Sequence, residues 1–90
     1  MPGKALYVNC LVSLGFFENE FYVVVDDSSA YVDRRNVRVS RAPEMDKQVE
    51  GQVLAYVVEE QPGRALVELP GQAVVGGLRT WIQQKQIAAS

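Results

Sequence analysis

Alternation of apolar and polar residues with a period of two is the feature that most constrains this 90-residue chain. Every second residue from Leu6 to Leu14 is apolar, as in a β-strand with one buried face. A second alternation of this kind runs from Val49 to Val58. The β-branched and aromatic run from Phe21 to Val25 also disfavours a helix. The pattern therefore predicts an all-β protein without a convincing helix.

Turn signals divide the chain into short extended segments. Besides the strands above, we expect extended structure over Tyr31 to Val39, Ala65 to Leu69 and Arg79 to Ile87. The reversals between strands are expected at 26–29, 62–63, 70–71 and 76–77, where Asp, Ser, Pro and Gly concentrate. The residues from Trp81 to Ile87 are expected to include a single 3₁₀ turn. The length predicts one domain over residues 1–90, with half-units of about 5–41 and 48–88.

A weak internal repeat relates these two half-units. A constant shift in residue number places Val8 to Val25 over Gly51 to Glu68 without a gap, and the core-facing positions coincide. The segment YVDRRNV, which begins at Tyr31, has the same spacing as WIQQKQI, which begins at Trp81. The repeat predicts a pseudo-symmetric fold of two three-stranded units.

Both seven-residue segments resemble the closing segment of SH3-like barrels, in which a strand end, one 3₁₀ turn and a final strand follow one another. The stretch VEGQVLAYVVEEQPGRALVEL also resembles the long central hairpin of such barrels. The resemblance implies a small SH3-like barrel or a related roll, a fold that hosts many functions. The chain departs from peptide-binding SH3 domains, because Asp33 and Gln83 stand where those domains have a proline. The acidic loop after their first strand is also missing, which argues against binding of proline-rich peptides.

Composition argues against catalysis. The chain has no histidine, the side chain that most often serves as a general base and metal ligand near neutral pH. Its one cysteine, Cys10, lies at an apolar strand position and is predicted to be buried and structural. We therefore predict a protein that is not an enzyme, with no catalytic residues, no cofactor and no metal site.

The sequence gives no indication of export or of a membrane span. The longest uninterrupted apolar run, Val53 to Val58, is far shorter than the roughly 20 residues of a membrane helix. A signal-peptide pattern is absent at the N-terminus. A cytoplasmic protein without membrane contact is the expectation.

One cluster of positive charge indicates a binding function. This arginine patch consists of Tyr31, Arg34, Arg35, Arg38 and Arg41. Alternation along the strand predicts that Arg38 faces solvent. The patch could bind an anion or nucleic acid, although the net charge of −2 provides no long-range attraction to phosphate. The alternative is a solvated edge strand whose charges prevent strand pairing between molecules.

A second candidate surface is apolar. The run from Phe21 to Val25 is apolar on both faces, and aromatic residues precede it. The predicted protein interface consists of Phe16, Phe17, Phe21, Val23 and Val25. The alternative is that the two half-units seal this surface inside one chain.

Three functions remain open from the sequence. The leading hypothesis is a non-catalytic binding module that acts through protein–protein contacts or as a homodimer. The second is an anion-binding or nucleic-acid-binding module that uses the arginine patch. The third is an accessory subunit of an enzyme.

Overall fold

A computed structural model describes residues 4–88 of the chain. The strands are β1 (Ala5–Leu14), β2 (Glu20–Val25), β3 (Ser28–Asp33), β4 (Val37–Val39), β5 (Val49–Gln61), β6 (Arg64–Glu68), β7 (Gln72–Val75) and β8 (Arg79–Gln83). Two short 3₁₀ turns, η1 (Arg34–Asn36) and η2 (Gln84–Gln86), complete the elements. The strands pair in the order β7-β3-β2-β1-β5-β6-β8, and β4 pairs with β5. All the pairs are antiparallel and the sheet curls into a half barrel, which confirms the all-β prediction.

The two long strands β1 and β5 form the centre of the sheet. They pair from Ala5 opposite Tyr56 to Val12 opposite Val49. The other edge of β5 is shared by β6 and β4, and β4 places Val37 opposite Val53. The other edge of β1 is shared by β2 and by Ile87, which follows η2. Each segment that follows a 3₁₀ turn therefore pairs with the central strand of the opposite half.

The interior is aliphatic and consists mainly of valine. β-Branched side chains suit the pleated surface of a sheet, where they pack against cross-strand neighbours. The buried apolar side chains are Val8, Cys10, Val12, Phe21, Val23, Val25, Ala30, Val32, Val37, Val49, Val53, Ala55, Val57, Ala65, Val67, Leu69 and Ile82. They come from both halves of the chain and form a single cluster, so the halves share one core.

Of two local features expected from the sequence, one is wrong and the other is confirmed. The segment from Tyr31 to Val39 is not one extended stretch, because η1 interrupts it. The carboxylate of Asp33 accepts a hydrogen bond of 3.0 Å from the Arg35 backbone N–H, which caps that turn. The 3₁₀ turn expected after Trp81 is confirmed by η2. There the Gln83 backbone N–H donates to Gln86 Oε1 at 2.7 Å.

Candidate functional site

The two faces of β2 have opposite environments. Phe21, Val23 and Val25 point inward and are almost fully buried. Their register places Val23 opposite Val12 of β1, within the core. These three residues of the predicted protein interface therefore belong to the interior of a single chain and do not form a surface. This corrects the face assignment, since both faces of β2 are apolar and alternation alone did not distinguish them.

The outward face of β2 carries an aromatic cluster. Tyr22 lies opposite Tyr31 of β3, and their ring centroids are 5.3 Å apart. The ring of Phe16 joins the cluster at 5.2 Å from Tyr31. Phe16 is 81% exposed and Phe17 is 69% exposed, so these two members of the predicted interface do lie on the surface.

Cross-strand pairing extends this cluster into a continuous strip. Leu11 of β1 lies opposite Val24 of β2, and Val24 lies opposite Ser29 of β3. Ser29 in turn lies opposite Val75 of β7. From Leu11 to Val75 this row contains no charged side chain, and neither does the tyrosine pair; on the other side of Leu11 the row ends at Glu50 of β5. We call the five large side chains Leu11, Phe16, Tyr22, Val24 and Tyr31 the aromatic face.

The loop between β1 and β2 holds Phe16 in position. The Phe16 backbone N–H donates to Glu20 Oε2 at 3.2 Å, and the Glu20 N–H donates to the Phe17 carbonyl at 3.2 Å. A Cβ atom at Gly15 would lie 2.8 Å from the Glu20 carbonyl oxygen, so the loop closes too tightly for a side chain there. The position of the exposed ring thus follows from a compact turn.

The outward face of β6 and β8 is covered by charge. Leu66 lies opposite Trp81, and the Arg64 guanidinium lies 4.1 Å from the centroid of the Trp81 ring. Beside them, Arg79 and Glu68 form an ion pair of 2.9 Å. The apolar groups of this face are therefore shielded by cationic and anionic side chains, in contrast to the aromatic face.

The residues of the arginine patch contact different groups. The Arg34 guanidinium lies over the Phe21 ring at 4.4 Å, and Arg35 forms an ion pair with Asp33 at 3.3 Å. Arg38 is exposed, as predicted, and its guanidinium lies 3.6 Å from the centroid of the Tyr7 ring. Tyr31 belongs to the aromatic face. Arg41 follows β4 and is exposed.

A polar groove of about 580 Å³ lies next to Arg38. Its lining residues are Asn9, Cys10, Arg38, Val39, Ser40, Glu50, Gly51 and Gln52. Arg38 of β4 lies opposite Gln52 of β5, and Gln52 lies opposite Asn9 of β1. The sequence interpretation missed Asn9 and Gln52, which look like ordinary polar residues of a strand until the pairing of three strands is known.

Cys10 is buried in the core, and its thiol stays protonated near neutral pH. Burial raises the pKa of the Cys10 thiol from 9.0 to about 12, so the thiolate is scarce at neutral pH. Across residues 4–88, no cluster of three or more Asp, Glu, His or Cys side chains is arranged to hold a metal ion. Burial of Cys10 agrees with its predicted structural role.

Comparison with known proteins does not assign a family. No protein-family model matches the chain, and neither the curated proteins nor the solved structures give a significant match. Within the part of the chain that the structure describes, no helix has the length and apolar character needed to cross a membrane. Function therefore has to be inferred from the surfaces described above.

Proposed function

We propose that this protein is a non-catalytic protein-binding module that acts through the aromatic face. The observation that carries the proposal is the contrast between two outward faces. The five large side chains of the aromatic face are uncharged and Glu20 and Asp33 lie only at its end, whereas the face of β6 and β8 is covered by Arg64 and by the Arg79–Glu68 ion pair. Apolar patches of this kind are typical of interaction sites, and tyrosine is enriched in them.

A second copy of the chain is the partner that this face fits best. A two-fold axis brings the same surface together from both subunits, so the surface must be complementary to itself. Its five large side chains are uncharged and can meet their own copies without like-charge repulsion, while Glu20, Asp33 and Glu50 lie at the edge of the face. The hydroxyls of Tyr22 and Tyr31 can each donate and accept a hydrogen bond, which suits contact between identical groups. We therefore propose a homodimer.

We also propose that the fold is an SH3-like barrel derived from two related half-units. Its support is a contact that occurs once in each half. The Arg34 backbone N–H, at the start of η1, donates to the Asn19 carbonyl of the first hairpin at 2.9 Å. The Gln84 N–H, at the start of η2, donates to the Gly63 carbonyl of the second hairpin at 3.1 Å.

Sedimentation velocity of the wild type and two matched variants tests the dimer. Val24→Glu places a charge in the aromatic face, and Leu66→Glu places one in the outward face of β6. Both positions are half-buried and point away from the core. We expect a dimeric wild type, a monomeric Val24→Glu variant and a dimeric Leu66→Glu variant. Circular dichroism and urea unfolding confirm that each variant is folded.

Two outcomes contradict this proposal. One is a wild type that sediments as a monomer at concentrations up to roughly 1 mM, above the range of most specific complexes. The other is a folded Val24→Glu variant that remains dimeric.

Anion binding is the second candidate function, and a contact of Arg38 favours it. Within residues 4–88 the structure gives the Arg38 guanidinium no hydrogen bond or ion pair, although it lies against the Tyr7 ring. If the arginine patch binds nucleic acid, affinity for a single-stranded oligonucleotide falls steeply with salt. Full affinity in an Arg38→Glu variant would contradict that function.

A further inference from the structure

Arg38 is a cation held in place by the sheet. Its backbone pairs with Gln52 on β5, while its guanidinium reaches the Tyr7 ring on β1 at 3.6 Å. The side chain therefore crosses β5 and rests on the next strand. Stacking on an aromatic ring restricts a guanidinium but leaves the N–H groups at its edge free to donate. The entropy cost of binding an anion at Arg38 is correspondingly reduced.

Three other cations of the described chain have acidic partners, while Arg34 and Arg64, like Arg38, lie over aromatic rings. Arg35 pairs with Asp33, Arg79 with Glu68, and Lys4 with Glu60 at 2.9 Å. No carboxylate lies within ion-pair distance of the Arg38 guanidinium among residues 4–88. Its donors are thus available to a ligand, and a guanidinium binds carboxylate and phosphate through two parallel hydrogen bonds.

Two amide side chains extend from Arg38 across the sheet. Asn9 and Gln52 share its cross-strand row, where side chains on one face lie about 5 Å apart. Each amide can both donate and accept hydrogen bonds. These side chains line an open polar groove of about 580 Å³.

Glu50 limits which classes of ligand the groove can bind. It also lines the groove, two positions before Gln52 and on the same face of β5. A carboxylate there repels a polyanion but accepts hydrogen bonds from an ammonium or hydroxyl group. The groove therefore favours a molecule with an oxyanion at one end and a donor at the other.

We propose that this groove binds a small organic oxyanion, a carboxylate or a phosphate monoester, that also carries an ammonium or hydroxyl donor. Arg38 binds the oxyanion, Asn9 and Gln52 orient the ligand, and Glu50 accepts from its donor group. None of the four ligand-binding residues belongs to the aromatic face, although Glu50 lies opposite Leu11 of that face, so variants at Arg38 and at Val24 test this proposal and the dimer separately.

NMR titration of the full ¹⁵N-labelled chain tests the site with four probes. Phosphoethanolamine and glycine carry an oxyanion and an ammonium group, whereas inorganic phosphate and acetate carry only the oxyanion. We expect saturable shifts of the Asn9 and Gln52 side-chain amide signals. One of the first two probes should bind at least about 10-fold more tightly than its simple counterpart, the factor expected from one additional charge-assisted hydrogen bond.

Matched variants assign the binding to named groups. Arg38→Gln should weaken binding of the preferred probe at least about 10-fold, since it removes the charged donor. Arg38→Lys should also weaken it, because lysine lacks the planar fork. Arg64→Gln makes the same change of charge at an arginine that also lies over an aromatic ring but outside the groove, and should leave affinity unchanged. Glu50→Gln should reduce the difference in affinity between the probe that carries an ammonium group and its counterpart that lacks one.

Three results would overturn the proposal. The first is the absence of saturable shifts at Asn9 and Gln52 with every probe. The second is an equal loss of affinity in Arg64→Gln and Arg38→Gln, which would indicate general attraction by charge. The third is a single-stranded oligonucleotide that binds more tightly than all four probes with a steep salt dependence, which would assign the groove to nucleic acid.

Discussion

The two halves of this sheet have similar inward faces and different outward faces. Inside, both β2 and β6 contribute alternate apolar residues to one core. Outside, the pair formed by β2 and β3 carries Tyr22 opposite Tyr31, while β6 and β8 carry Glu68 opposite Arg79. The core explains how both halves fold. The difference in their outward faces is the basis of the proposed dimer.

The largest expected effect distinguishes the two faces of β2. Val23 is fully buried, whereas its neighbour Val24 lies on the aromatic face. Val23→Asp should lower the free energy of unfolding by more than about 4 kcal/mol, because it buries a carboxylate without a partner. Val24→Asp should cost roughly 1 kcal/mol, as expected for an outward strand position. Urea unfolding measures both, and equal losses would contradict the assignment of the two faces.

The inward face also predicts a loss of stability at alkaline pH. Burial raises the pKa of the Cys10 thiol to about 12 from 9.0, so the folded state keeps this proton when the unfolded chain releases it. The stabilisation of the fold by the buried, protonated thiol is fully present below pH 9 and is lost as the pH rises towards 12. At 1.36 kcal/mol per pH unit, the loss reaches roughly 4 kcal/mol.

Cys10→Ala provides the control for this pH dependence. The variant lacks the thiol and should show a smaller fall in the free energy of unfolding between pH 9 and the alkaline limit of the measurement. Parallel pH profiles for the wild type and the variant would mean that the Cys10 thiol titrates at its ordinary pKa in the folded protein.

These inward positions were accessible from the sequence, because period-two alternation predicts which residues share a face. Alternation in β1 and β5 predicted buried positions such as Val8, Val12 and Val53. In β2 it did not indicate which face is inward, because both are apolar. That choice depends on pairing with β1 and on a core completed by distant strands.

The features that were not predicted depend on contacts between distant segments. The four-residue strand β7 lies between two turn signals, and its pairing with β3 defines it. Likewise, Arg38 meets Tyr7 only because β4, β5 and β1 are neighbours in one register. Local patterns do not contain this information.

An exchange of outward residues tests the proposed role of the aromatic face. The double variant Tyr22→Glu/Tyr31→Arg gives β2 and β3 a cross-strand ion pair like that of Glu68 and Arg79. The fold should be retained, since both positions point outward. The dimer should weaken at least roughly 30-fold, the effect of losing an interface group that contributes about 2 kcal/mol. Sedimentation velocity checks this, and an unchanged dissociation constant would exclude the tyrosine pair from the interface.

The smallest effect concerns the shielded face of β6 and β8. Arg64 lies over Trp81, the only tryptophan, and its Nε also donates to Gln61 Oε1 at 2.9 Å. Arg64→Gln should lower the free energy of unfolding by about 0.5–1 kcal/mol, the value of an exposed cation–π contact. It should also change the fluorescence emission of Trp81, because the charge above the ring is removed. Arg35→Gln removes a cation that pairs with Asp33 and should leave that emission unchanged. If the two variants gave the same emission spectrum, Arg64 would not cover Trp81 in solution. The face of β6 and β8 would then be less shielded by charge than the structure indicates.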